Sequence, residues 1–290
     1  MTSPISAEPA PVRSYLYYRH TLPVRIMHWT NVVALTILFM SGLGIFNAHP
    51  NLYWGKSSYT GNAPFVQIGS RQDEAGKLVG FARILGHEFE TTGVLGVWRA
   101  SDGSLERRAF PGWLTIPSVY WLSMARDWHF LAAWVFVLNG IAYVLYSLFS
   151  GHLRRDLRPT GTELRGIGRP ILDHLRFRHP HGEAAKRYNI LQKLAYLGVI
   201  VVLLPTMIMT GLTMSPGFNA AAPVLLDLFG GRQSARTIHF IAASLIVGFI
   251  LVHLLMVVLA GPINEIRSMI TGRYEIKPDP APKAKVEAAP

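Results

Sequence analysis

The chain has 290 residues, half of them hydrophobic and only 16% charged, with a mean hydropathy of +0.26; soluble domains carry about 25% charged residues, so the composition points to a bilayer. It contains no cysteine, which excludes disulfides, thiolate-held iron–sulfur clusters, covalently attached c-type haem and thiol chemistry in this chain. A net charge of +11 would suggest nucleic acid in a soluble protein, but in a membrane protein it marks cytoplasmic loops, and no nucleic-acid partner is expected.

The chain opens on "MTSPISAEPAPVRS", Pro/Ala-rich and without an apolar run before a small-residue cleavage site. It reads as a disordered tail over 1–18 with no removable signal peptide. Spanning hydrocarbon takes about 20 apolar residues. The first such stretch follows Arg25, "IMHWTNVVALTILFMSGLGIFN". A long connection, about Ala48 to Ala125, comes next. Within it "GVLGVWRASDGSLERRAF" reads as two short strands around a Ser-Asp-Gly turn, and "FPGWLTIPSVYW" as an aromatic return to the membrane surface. This connection is either a platform for a partner or an inert lid. "WGKSS" near Gly55 is no phosphate loop, because Pro50 stands where the first glycine belongs.

The second span follows Asp127, "WHFLAAWVFVLNGIAYVLYSLFSG". The third follows Lys193, and Pro205 within it is expected to kink it. The fourth runs from Arg236 to about Ala260, and a Pro/Ala-rich tail occupies 275–290. The expected architecture is all-α and integral to the membrane: a four-transmembrane-helix bundle over 19–274, with a long periplasmic loop between helices 1 and 2. Trp29, Trp128 and Tyr188 sit near span ends, as interfacial anchors do.

Orientation follows from Lys and Arg. Arg13, Arg19 and Arg25 precede the first span, and nine basic residues against four acids lie between Arg154 and Arg187. Five more follow the fourth span, whereas the short third connection has only Arg232 and Arg236. Basic loops stay inside, so both termini are expected in the cytoplasm of a bacterial inner membrane. The first connection also holds eight basic residues, counting Arg126 at its end, but long loops cross largely regardless of charge.

Four of the eleven histidines fall within or at the edge of a span: His28, His129, His239 and His253. His28 and His253 lie toward the inner side, His129 and His239 toward the outer. Fourteen residues separate the two in the fourth span, a rise of about 21 Å and a rotation to within roughly 40° of the starting direction. One helix thus carries two imidazoles on one face at two depths. Ionisable groups in a span avoid lipid and are functional by default. A bare metal ion would want three or four converging ligands, whereas two separate His–His pairs suit two haems, each held axially between helices. The alternative is four hydrogen-bonded interior or interfacial histidines. Arg25, Arg126 and Arg236 each lie three residues before a candidate ligand, one turn toward water, where a guanidinium pairs with a haem propionate or snorkels at a helix end. His253 has no such arginine.

Four spans with histidines distributed one, one, none and two, the last pair fourteen apart, resemble the bacterial cytochrome b561 and nickel-hydrogenase cytochrome b family. "ARDWHFLAAWVFVLNG", "RYNILQKLAYL", "LTMSPG" and "GRQSARTIHFIAA" further resemble the cytochrome b/b6-domain proteins that accompany periplasmic molybdopterin-dependent oxidoreductases. The likeness covers roughly Arg19 to Tyr274. It implies a di-haem b cytochrome passing electrons between the quinone pool and a periplasmic oxidoreductase, and not an enzyme acting alone. The family's ligand positions fall on His28 with His253 and on His129 with His239; quinone would be an exchangeable substrate, with no residue legible for it. Two other readings stand beside this: a haem-free membrane anchor for a periplasmic protein, and a histidine-using transporter, which the lack of Asp and Glu within the spans disfavours.

Overall fold

The computed structural model describes residues 14–59, 61–100, 102–153, 157–175 and 189–276. Most of both expected tails (residues 1–13 and 277–290), much of the basic stretch between the second and third spans, and Tyr188 lie outside them. In chain order come β1 (Tyr15–Tyr18), α1 (Leu22–Ala48), β2 (Asn51–Leu52), β3 (Val66–Gln72), β4 (Leu78–Ile84), β5 (His87–Glu90), β6 (Trp98–Arg99) and β7 (Leu105–Glu106). They are followed by α2 (Leu122–Phe149), α3 (Gly161–Arg165), α4 (Gly168–Leu175), α5 (Ile190–Leu197), α6 (Leu204–Met214), α7 (Pro216–Ala221) and α8 (Val224–Leu228). α9 (Arg232–Ala260), α10 (Pro262–Thr271) and β8 (Arg273–Ile276) complete the described chain.

Four helical stretches are long and apolar enough to cross a membrane: Leu22–Ala48, Leu122–Phe149, Ile190–Met214 and Arg232–Ala260. Their outward faces are apolar, with Val33, Leu138, Leu251 and Val258 all about 60% exposed. Water would not tolerate such a surface, whereas lipid does. Many of their buried positions are small: Ala34 and Ser41 in α1, Ala125, Ala132 and Ser147 in α2, Thr210 and Thr213 in α6, Ala235, Thr237 and Ala242 in α9. Without a hydrophobic drive between helices, small side chains are what let backbones approach and hydroxyls bond across. Three helices begin before the charge-free stretches do, because a helix continues through the headgroup layer where Arg25, Asp127 and Arg232 are solvated. The first connection is accordingly 49–121, shorter than the 48–125 expected from the sequence.

The third span answers Pro205 with a change of helix type. Between α5 and α6, residues Gly198–Leu203 are π-helical. Proline has no N–H to donate and its ring collides with the carbonyl four residues back, so the turn before it widens.

The expectation of an all-α chain is corrected in the first connection. Strands β2 to β5 form a four-stranded antiparallel sheet in that order, with β3 paired to β4 from Val66↔Ile84 to Gln72↔Leu78. Their turn is fixed by Asp73, whose Oδ1 accepts from the backbone N–H groups of Ala75 (3.0 Å) and Lys77 (2.8 Å). The two short strands expected around Asp102-Gly103 are present as β6 and β7, paired antiparallel. The sheet closes a small core of Phe46, Leu52, Ile68, Ala82 and Ala109, with Phe240 of α9 packed against it.

Two compact units divide the chain: residues 26–150 with 197–251, and residues 1–25, 151–196 and 252–290. In the second, β1 pairs with β8 in register Tyr15↔Ile276 to Tyr18↔Arg273, so Tyr15–Tyr18 and Glu275–Ile276, left in the tails by the sequence, are strand. Arg19 bridges Glu265 at 3.4 Å and lies over the Tyr274 ring. Burial, then the nearby Glu265 carboxylate, push the Tyr274 phenol up from its ordinary value.

Candidate functional site

His129 in α2 and His239 in α9 face each other across the first unit, with ring centroids 6.4 Å apart and planes inclined at 59°. That inclination rules out stacking. Each ring is held from behind by a helix that carries no ligand of this pair. Ser41 Oγ of α1 lies 3.1 Å from His129 Nδ1, and Thr210 Oγ1 of α6 lies 3.0 Å from His239 Nδ1. Both hydroxyls are fully buried, and each donates its own proton one turn back, Ser41 to the Ile37 carbonyl and Thr210 to the Thr206 carbonyl, both at 2.6 Å. A hydroxyl so engaged has only lone pairs to offer, so Nδ1 is the protonated nitrogen and Nε2 keeps its lone pair. The Leu38 and Met207 carbonyls, which can only accept, face the same two rings.

Glycines make the approach close. A Cβ on Gly42 would stand 3.5 Å from His129 Cε1, and one on Gly211 would stand 3.4 Å from His239 Cε1. The two cradles share a local sequence, Met40-Ser41-Gly42-Leu43 in α1 and Met209-Thr210-Gly211-Leu212 in α6. The repeated tetrapeptide is the signal that reading for histidines alone misses. The third span, without a histidine, contributes a hydroxyl and a bare backbone.

The remaining candidates are placed as follows. His28 lies in α1 with its ring edge-on to Trp29 at 5.4 Å. His253 is half-buried in α9 and belongs to the other compact unit. Arg236 spends its guanidinium on the connection, donating to the Asn51 carbonyl at 3.0 Å and to the His49 carbonyl, with its carbon 5.7 Å from the Phe46 ring centre. Burial, and next the Arg236 charge, hold the His49 imidazole below its usual value. Arg25 donates to the Ile270 carbonyl, and Arg126 lies over the Phe130 ring. A polar clamp escaped the sequence reading: Asn139 Nδ2 of α2 donates to the Met27 carbonyl (2.9 Å) and to Asn31 Oδ1 (2.8 Å), both in α1.

The connection is seated on the start of α9. The Gly55 carbonyl accepts from the backbone N–H groups of Gln233 and Ser234, at 3.2 and 3.1 Å, satisfying helix donors that have no partner within the helix. Ser234 Oγ accepts from Gly55 N–H at 2.7 Å, and Thr237 Oγ1 donates to the Tyr53 carbonyl at 2.6 Å. Asn47 at the end of α1 grips Phe110 through both backbone groups. The segment nearest the histidine pair is therefore fixed to the ends of two spans.

Four apolar helices and a facing pair of imidazoles, each held by a hydroxyl from a neighbouring helix, define a multi-pass membrane protein equipped to hold a group between two of its spans. The chain belongs to the prokaryotic cytochrome b561 family, whose profile matches residues 19–272. It is also 29% identical, over 84% of its length and 92% of the relative's, to a protein of Azospira oryzae named as a putative protein-methionine-sulfoxide reductase subunit, YedZ1. No solved structure matches it. The family implies haem b. The donor set fits: His129 and His239, each with Nδ1 beside a buried hydroxyl, would hold such a group through Nε2, and a metal–imidazole bond of about 2.0–2.1 Å on each side would set the ring centres roughly 6 Å apart, against the 6.4 Å observed. Among the described residues no group of three or more His, Cys, Asp or Glu side chains is placed to hold a bare ion. A macrocycle that brings its own four donors is the ligand this pair suits.

Proposed function

We propose that the protein is a di-haem b cytochrome that carries electrons across the inner membrane between the quinone pool and a periplasmic oxidoreductase of the molybdopterin-dependent class. His129 and His239 would hold the haem nearer the periplasm, and His28 and His253 the one nearer the cytoplasm. Haem b supplies one-electron exchange at iron; the chain supplies ligands, orientation and a dry surround. The observation that carries the reading is the His129–His239 pair with both Nδ1 atoms engaged by buried hydroxyls. The inner pair rests on the sequence: His253 lies fourteen residues along α9 from His239, on the same helical face, and His28 opens the first span. Haem held by a histidine from each of two helices would supply electron exchange and leave no position at iron for a substrate, so a partner would perform the substrate chemistry. The name of the Azospira oryzae relative supports a methionine-sulfoxide reductase as that partner. Arg25, Arg126 and Arg236 are the proposed propionate-side cations, Arg126 being the one with an exposed side chain.

The test is spectroscopic. Protein purified in mild detergent should give a b-type α-band on dithionite reduction and two haems per chain. His129→Ala or His239→Ala should remove about half of that haem, and His28→Ala or His253→Ala the other half. A colourless wild type, or haem counts untouched by these four substitutions, overturns the reading.

A further inference from the structure

We propose that Ser41 and Thr210 are paired positioning residues that fix the tautomer of the two ligands from outside and set the reduction potential of the haem between them. The inference rests on the assignment of His129 and His239 as ligands of one haem. The geometry is the same on both sides. A residue of zero or near-zero exposure on a neighbouring helix spends its O–H on the carbonyl of the preceding turn and receives Nδ1–H on its lone pair. A glycine follows each hydroxyl, so the imidazole edge lies against bare backbone and the ring has one seat. A free histidine divides its proton between two nitrogens; here the acceptors behind each ring hold it on Nδ1 and leave Nε2 as the ligating atom.

The consequence is electronic as well as geometric. An acceptor on Nδ1–H raises the basicity of the bound nitrogen and favours the ferric state. Because both axial ligands are treated alike, the two effects fall on one iron and add. α1 and α6, which contribute no ligand to this pair, thereby tune it.

Ser41→Ala and Thr210→Val remove the hydroxyls with little change of volume, while Ser41→Thr and Thr210→Ser retain them. Full-length, haem-loaded protein is titrated with redox dyes in detergent, and haem per chain is measured alongside. Each hydroxyl-free variant should shift the ferric/ferrous equilibrium of one haem several-fold toward ferrous. The double variant should approach about tenfold, which is 59 mV for a one-electron couple; the conservative variants should leave it within twofold. If a hydroxyl-free variant loses its haem instead, recovery of haem in the matching conservative variant supports the proposal, and loss in both overturns it. Full loading with an unmoved potential in both hydroxyl-free variants also overturns it. His129→Ala in the same series reads the underlying assignment: if that variant keeps all its haem, the ligand assignment itself fails, whatever the hydroxyl variants do.

Discussion

Glu163 and Lys193 illustrate how one residue ties a surface turn to a span. Lys193 sits at the start of the third span with only 10% of its side chain exposed, and its ammonium donates to Glu163 at 2.8 Å. Glu163 also closes the capping box of α3, accepting from the Thr160 backbone N–H while Thr160 Oγ1 accepts from the Glu163 N–H. Lys193, then Thr160, hold this carboxyl down from its ordinary 4.5 to about 2. A folded-state value below the unfolded one means that the unfolded chain takes up the proton first. The stabilisation is therefore complete above about pH 4.5 and is lost as pH falls toward 2. Wild type should melt above Glu163→Gln at neutral pH, and the gap should close steadily as pH drops through that window. A gap that widens on acidification would contradict the assignment. The carboxylate is a third exposed, so a modest difference is expected, and one that salt reduces.

At the scale of elements, the seam between the first connection and α9 depends on a backbone that only glycine fits. Gly231 has φ +112°, and a Cβ there would stand 2.6 Å from Lys56 Cα and 2.7 Å from the Gly55 carbonyl. Gly231→Ala should destabilise the protein by about 1–3 kcal/mol and open the segment from residue 51 to 59 to limited proteolysis, while the melting of Gly217→Ala, where no neighbour lies within 4 Å, stays close to wild type. Much of this layer was legible beforehand. The four spans, the β6–β7 pair and the disturbance at Pro205 all follow from local signals of charge-free length, turn chemistry and a missing donor. The β2–β5 sheet was not read, although "VQIGSRQ" and "LVGFARI" flank the turn residues "DEAGK", because its residues alternate weakly and the eye follows hydropathy in a membrane sequence. Within the candidate site, the meeting of His129 and His239 was expected from their depth, each near the outer end of its span. Ser41 and Thr210 were not, since buried hydroxyls in a transmembrane helix ordinarily bond their own backbone, and only the facing helix reveals the second bond.

For the whole molecule, the ordering of the two proposed centres depends on which side the first connection occupies. That connection is seated on the start of α9 through Gly55, Tyr53 and Arg236, the end that carries His239, so its side is the side of the His129–His239 pair. The proposed orientation takes the termini as inside, from the basic residues before the first span and after the fourth; by parity of four spans it makes the connection outside. A chain without cysteine makes the test clean, because a single introduced thiol is the sole reactive site. Glu74→Cys, in the exposed β3–β4 turn, should react with a membrane-impermeant maleimide in intact cells whose outer envelope has been permeabilised. Ala284→Cys, in the C-terminal tail, should react only after the inner membrane is broken. The reverse pattern would turn the molecule over and place the hydroxyl-held pair at the cytoplasmic face. The connection would then no longer be available to a periplasmic partner as a platform.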